Sequence, residues 1–280
     1  METHKLFGLE MSSAINCFET FWRKLDLNAS QTQFVHPDDA PHMTPETTEG
    51  LALNLLPLAV NGSLKCADVV ILMLNSGFGD SDVLWEKSHP NEYQVMLASQ
   101  RANLHQSHGD EDHYPFYDLN PLFRDHPGAA YWKGGASLAV AKRQARKLAS
   151  IAADLGGVRS ESPQTVYREM SNRVAVVELL SYRSTKFKHR SLFGKLPSCA
   201  EALKLVRTLV AENEKLIVIP RSVKEWGFSG PSDNTENLVV YDPRQGAAAS
   251  MTTRSAGGQA ILARLTPTAP QREIKTAADA

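Results

Sequence analysis

Four short apolar runs in this chain each end in residues that can do chemistry. Asn75, whose amide both donates and accepts hydrogen bonds, closes the run 68–74. Tyr182, Arg183 and Ser184 follow 174–180, Arg221 and Ser222 follow 216–220, and Asp242 and Arg244 follow 238–241. The runs are short and rich in β-branched residues, which predicts strands buried on both faces. In a parallel sheet all such exits share one edge, and ligands of open α/β sheets bind beyond that edge. Amide, guanidinium, hydroxyl and carboxylate groups converging there would form a polar ligand site. The turn Ser76-Gly77-Phe78-Gly79 adds backbone N–H groups and the start of a helix beside Asn75.

Other chemistries fit less well. The turn after Asn75 is neither G-x-G-x-x-G nor G-x-x-x-x-G-K-[ST], so it carries no nucleotide-phosphate fingerprint. No G-x-S-x-G hydrolase elbow occurs. His105, His108, Asp110, Glu111, Asp112 and His113 include metal-ligand types, but their spacing matches no standard motif, and a solvated acidic loop explains them. Cys17, Cys66 and Cys199 are odd in number and far apart, which argues against a disulfide framework or a four-cysteine metal site. No metal or cofactor is expected.

The elements that must position these residues alternate. A helix is predicted over 12–26, where Ile15, Phe18, Phe21, Trp22 and Leu25 make one apolar face. Residues 28–50 read as an irregular arm, and 51–60 as an apolar segment closed by the turn Asn61-Gly62-Ser63. A helix from Ser81 to His105 should break in two at Pro90. Residues 105–136 read as a long loop, rich in aromatics around 114–118, and a functional role is expected of such a loop. A basic helix is expected over 136–153, another from Ser162 to Met170, and a third from 202 to 212 opened by a Ser198/Glu201 capping box. Together these predict a three-layer α/β/α fold on a central four-stranded, mainly parallel sheet. The expected division is an arm over 1–64, a core domain over 65–264 and a disordered tail over 265–280.

A net charge of −1 conceals segregation: residues 1–50 hold eight acids and three bases, whereas 131–148 and 183–195 hold bases alone. Such basic segments suit a polyanion. Lys133, Arg143, Lys186, Lys188 and Arg244 are the candidate phosphate contacts. With no apolar stretch of bilayer length and no leader-like start, a cytosolic protein without a membrane partner is expected, acting as a monomer.

Leu74-Asn75-Ser76-Gly77 after a buried strand resembles the first motif of the uracil-DNA glycosylase superfamily, most closely the mismatch-specific branch, which has Asn-Pro-Gly there. Tyr114-Pro115-Phe116-Tyr117 and 178–184 are similar to stretches of uncharacterised bacterial members. The resemblance implies that fold over roughly 65–250, a DNA partner, and removal of an extruded base with Asn75 orienting the attacking water. It further implies Phe78, Tyr114, Phe116 and Tyr182 as walls for the base. Arg183, Ser184 and Arg221 would be donors to the departing base, with Ser76, Gly77, Asp118, Glu178 and Asp242 as further substrate contacts. Ser76 departs from the usual proline, and Tyr241-Asp242-Pro243 stands where other members have His-Pro-Ser. These departures and the 105–136 insertion imply a non-standard, bulky base, such as the glucosylated hydroxymethylcytosine of phage DNA, and thus a role in antiviral defence. A small-molecule nucleoside or nucleotide hydrolase and a non-catalytic nucleic-acid-binding subunit are the alternatives.

Overall fold

A computed structural model describes residues 3–28, 32–109, 114–133, 148–159, 161–244 and 251–266. Its centre is a mixed sheet of five strands: β1 (Val60–Asn61), β2 (Val69–Gly77), β3 (Val174–Ser184), β4 (Leu216–Ile219) and β5 (Leu238–Val240). Their order is β1-β3-β2-β4-β5, and β1 alone runs antiparallel. The expected four strands therefore become five. The extra one is two residues long, too short to leave a periodic signal, and lies in the segment read as a turn.

Strand alternation sends neighbouring residues to opposite faces. Val70 and Leu72 of β2 face one core, with Phe18 and Trp22 of α1 (Thr3–Trp22) and Leu205 and Leu209 of α8 (Pro197–Glu212). Val69, Ile71 and Met73 face the other. That core includes Ile151 and Leu155 of α6 (Ala149–Arg159), Met170 of α7 (Pro163–Arg173) and Ile261 of α9 (Ala256–Leu265). Helices thus cover both faces of a nearly continuous apolar sheet. Among the described residues no helix is long and apolar enough to cross a membrane.

Several local expectations change. The first helix begins at Thr3, earlier than its apolar stripe. The helix after β2 does divide at Pro90, into α3 (Asp80–Ser88) and α4 (Pro90–His105), with His89 capping both. The stretch read as a loop holds 3-10 turns at Tyr117–Leu119 and Pro121–Phe123 and a short helix, α5 (Pro127–Lys133). Pro127-Gly128 at the helix start reads locally as a turn, which concealed it. The Ser198/Glu201 capping box does not form. Instead the Ser198 N–H donates to the Asp39 carboxylate at 2.9 Å, so the arm supplies the cap. Of the other helices, α2 (Pro45–Thr48) lies in the arm. The chain through Leu265 packs as α9 on the sheet, while the predicted basic helix falls mostly on 134–147, outside the described residues.

A candidate polar active site at the carboxyl edge of the sheet

Strand β3 runs eleven residues, four beyond its apolar run, so Tyr182, Arg183 and Ser184 belong to the strand itself. Beyond Asn75, paired with Leu180, the register slips until Gly77 pairs with Ser184. Two residues of β2 therefore span four of β3, and the bulge leaves carbonyls without ladder partners. The Asn75 side chain fills the gap. Its amide donates to the carbonyls of Leu180 (2.9 Å) and Tyr182 (2.6 Å), and its oxygen accepts the Ser184 hydroxyl. Asn75 lines the cavity beside the bulge, and one lone pair of its oxygen remains for a ligand or water.

This cavity, about 830 Å³, lies at the carboxyl ends of β2, β3 and β4. Asn75, Ser76, Gly77, Phe78, Asp118, Glu178, Arg183 and Arg221 line it. Residues that the sequence did not single out join them, among them Asn61, Asp82, Tyr117, His126, Gly128 and Trp132.

Buried charge organises its floor. Asp82 sits in the first turn of α3; one carboxylate oxygen accepts the Gly79 N–H at 2.9 Å and closes the helix start. Its other oxygen is 3.4 Å from Nη2 of Arg183 and 3.7 Å from Nε2 of His126. Arg183 Nη2 also donates to the Gly77 carbonyl at 3.2 Å, and the guanidinium lies over the Phe78 ring at 4.9 Å. His126 Nδ1 accepts the Gly128 N–H at 3.0 Å, which leaves the ring hydrogen on Nε2. Burial, reinforced by Arg183, lowers the His126 pKa to about 3, so the ring is neutral.

Asp118 is held in the turn Tyr117–Leu119. Its Oδ2 accepts Nδ2 of Asn61 at 2.8 Å, and Oδ1 has no hydrogen-bond partner although it is buried. Asn61 is fixed in turn: its oxygen accepts Nδ2 of Asn103 (3.2 Å) and the Tyr117 N–H (3.3 Å). Asn103 accepts the N–H of Gly62 at 3.1 Å. Gly62 has φ 116°, and a Cβ there would lie 2.7 Å from the Val174 carbonyl, so only glycine fits between β1 and β3. Burial raises the Asp118 pKa to about 7 against the opposing pull of Lys133, Arg183 and Asn61. Arg221, half-buried at the exit of β4, is shifted down by burial while Glu178 raises it. The next residue, Ser222, takes left-handed φ 56° as the chain turns at the cavity.

Other candidates lie elsewhere. Tyr182 is fully buried among the α1 and α8 side chains, where its hydroxyl donates to Asp39 at 2.6 Å. Burial and the Asp39 carboxylate raise its pKa. Phe116 is buried edge-to-face on Trp132, 5.2 Å between ring centres, and does not reach the cavity. Tyr114 is half-buried outside the cavity and donates to the Gln164 carbonyl at 3.4 Å. Asp242 lies away from the cavity, ion-paired to Arg244 at 2.7 Å. Among the phosphate candidates, Lys133 turns inward to the Asn120 carbonyl (3.0 Å), Lys188 pairs with Glu49 (3.1 Å) and Lys186 is exposed. Arg143 lies outside the described residues, as do 110–113 of the histidine and acid segment.

Two of the missed residues, Asp82 and His126, had weak local signals. Asp82 reads as a helix-opening acid, and His126 sits before a Pro-Gly turn; the fold alone brings them to Arg183. No protein family, curated protein or solved structure matches this chain.

Proposed function

We propose that this chain is a DNA glycosylase that takes an extruded, modified base into the cavity and hydrolyses its N-glycosidic bond. One observation carries the reading. Four residues lining a single cavity hold buried polar atoms with no hydrogen-bond partner: Nε of Arg183, Nε of Arg221, Nε2 of His126 and Oδ1 of Asp118. Each such atom costs roughly 1–3 kcal/mol unless a ligand or water satisfies it. Three are donors, matched to a base that departs with negative charge. Phe78, Tyr117 and Trp132 supply aromatic surface for a flipped base. The volume falls within the roughly 300–1,000 Å³ of pockets that enclose drug-sized ligands, more than a bare pyrimidine needs. A pyrimidine with a large substituent, such as the glucosylated hydroxymethylcytosine of phage DNA, suits that space, and its removal would serve antiviral defence.

The test is formation of alkali-labile abasic sites in three DNAs: phage DNA carrying glucosylated hydroxymethylcytosine, a uracil-containing duplex, and unmodified duplex. Base release from the phage DNA and none from the unmodified duplex is expected. No abasic site in any of them overturns the reading.

A second reading, a hydrolase of small nucleosides, is favoured by one observation: Lys133, Lys188 and Arg244 are all engaged by the protein's own oxygens. It predicts no duplex affinity. A glycosylase instead binds duplex with an affinity that falls steeply with salt.

A further inference from the structure

Resting on the reading of this cavity as a site of N-glycosidic hydrolysis, we propose that Asp118 is its catalytic base, aimed by Asn61 and taking the proton of the attacking water. The geometry singles out this carboxylate. Oδ2 is anchored to Asn61, itself anchored to Asn103, so the carboxyl plane is fixed. Asp118 lines the cavity, and its Oδ1 is buried with no hydrogen-bond partner. Gly128 closes against it: a Cβ there would come within 2.5 Å of Oδ1, so the main chain of α5 lies directly against this oxygen.

The neighbouring groups are each committed elsewhere. Asp82 has one oxygen on the Gly79 N–H and the other on Arg183, so both of its oxygens are engaged. His126 accepts the Gly128 N–H on Nδ1, so Nε2 keeps its hydrogen and the ring has no lone pair to offer. Asn75 has both amide hydrogens on β3 carbonyls, and an amide is not a base at neutral pH. Glu178 lies on β3 where its field acts on Arg221, which lines the same cavity.

Groups on every surrounding element tune Asp118. Lys133 of α5 and Arg183 of β3 favour the carboxylate, as does the Asn61 amide of β1. Asp82 of α3 opposes it, as does burial, while His126 is neutral and Tyr117 of the same turn is held protonated. The balance leaves Asp118 partly ionised near neutral pH, as a base handling a water proton requires.

The step balances within the site. The water oxygen forms a bond to the anomeric carbon as the C1′–N bond breaks, and that electron pair leaves with the base. The water proton passes to Oδ1 of Asp118, and the departing base takes a proton from solvent. Arg183 and Arg221 offset the negative charge that grows on the base.

Single-turnover base release from glucosylated phage DNA, with enzyme in excess and across pH 5–9, tests this. The wild-type rate is expected to rise with pH and level off above about 7. Asp118→Asn should lower the plateau by roughly 10²-fold or more and abolish the rise, with duplex affinity within a few fold of wild type. Asp118→Glu should restore part of the rate and a rise at a displaced pH. An Asp118→Asn protein within tenfold of wild type, or one that keeps the rise, overturns the proposal and leaves the glycosylase reading standing. A wild type that releases no base overturns that reading and this proposal with it. Should Asp118→Asn not fold, an Asp118→Glu profile superimposable on wild type overturns the proposal.

Discussion

Asp118 and His126 load the fold with opposite pH dependences that substitution will separate. The Asp118 pKa rises from 3.8 to about 7 on folding, mainly by burial. Its folded state holds the proton more tightly than the unfolded chain, so its contribution is complete below pH 4 and disappears as pH climbs through 7. At about 1.4 kcal/mol per pH unit, that is about 4 kcal/mol. His126 moves the other way, from 6.5 to about 3. Its folded state rejects the proton, so its contribution is complete above pH 6.5 and falls as pH drops toward 3. Between pH 4 and 6.5 the two slopes nearly cancel in the wild type. The Asp118→Asn protein should gain on wild type by about 4 kcal/mol as pH is raised from 4 to 7.5. Near neutral pH this amounts to roughly 10 °C in melting temperature for a chain of this size. The His126→Gln protein should gain on wild type by about 3 kcal/mol as pH is lowered from 6.5 to 4. Urea unfolding of the three proteins in half-unit pH steps reads both differences. Lys133, pushed down to about 8 by burial, changes the slope only above that range. Stability curves that stay parallel to wild type across pH 4–7.5 would refute the burial and protonation states assigned to both side chains.

Two other substitutions probe the architecture of the site. Asn75→Ala removes three hydrogen bonds that brace the β2–β3 bulge and leaves two strand carbonyls unsatisfied. A loss of roughly 2–4 kcal/mol in urea unfolding is expected, together with loss of base release. A change below 0.5 kcal/mol would contradict the bracing role. Gly128→Ala places a methyl group 2.5 Å from Oδ1 of Asp118. Base release should fall by at least tenfold, with a stability loss of roughly 1–3 kcal/mol, and an Ala variant of unchanged activity would show that the main chain does not close against this oxygen.

The strands at the centre of the sheet were legible because β-branched apolar runs have few other uses: β2, β4 and β5 lie where their residues predict them. The far end of β3 was not legible. Ser181, Arg183 and Ser184 look like an exit, but they are buried strand residues. The Ser184 hydroxyl and one arm of the Arg183 guanidinium find partners from other parts of the chain, Asn75 and Asp82. Which of Tyr182 and Arg183 faces the cavity is a question of strand parity, and the register slip beside them leaves no mark in the local sequence. Phe116 lies away from the cavity, since an aromatic in a loop-like stretch packs inward when a short helix such as α5 covers it. The acidic partner of Arg183 and the neutral histidine come from positions 82 and 126, more than forty residues apart, and no spacing rule joins them.

The Asp39 carboxylate that caps α8 is supplied from 159 residues earlier in the chain, and its other oxygen holds Tyr182 across 143 residues. This gives the protein an order of assembly. During synthesis the arm emerges long before the helix it completes, and its carboxylate has no partner until β3 and α8 have followed. Such distant closures slow folding, because the entropy of the intervening loop is lost before any contact is gained. Docking of the arm is therefore a late event, and until it occurs α8 has a frayed first turn and the buried tyrosine hydroxyl lacks its acceptor. A chain shortened to begin after residue 39 should still form the central strands, yet remain open at the face that the arm seals.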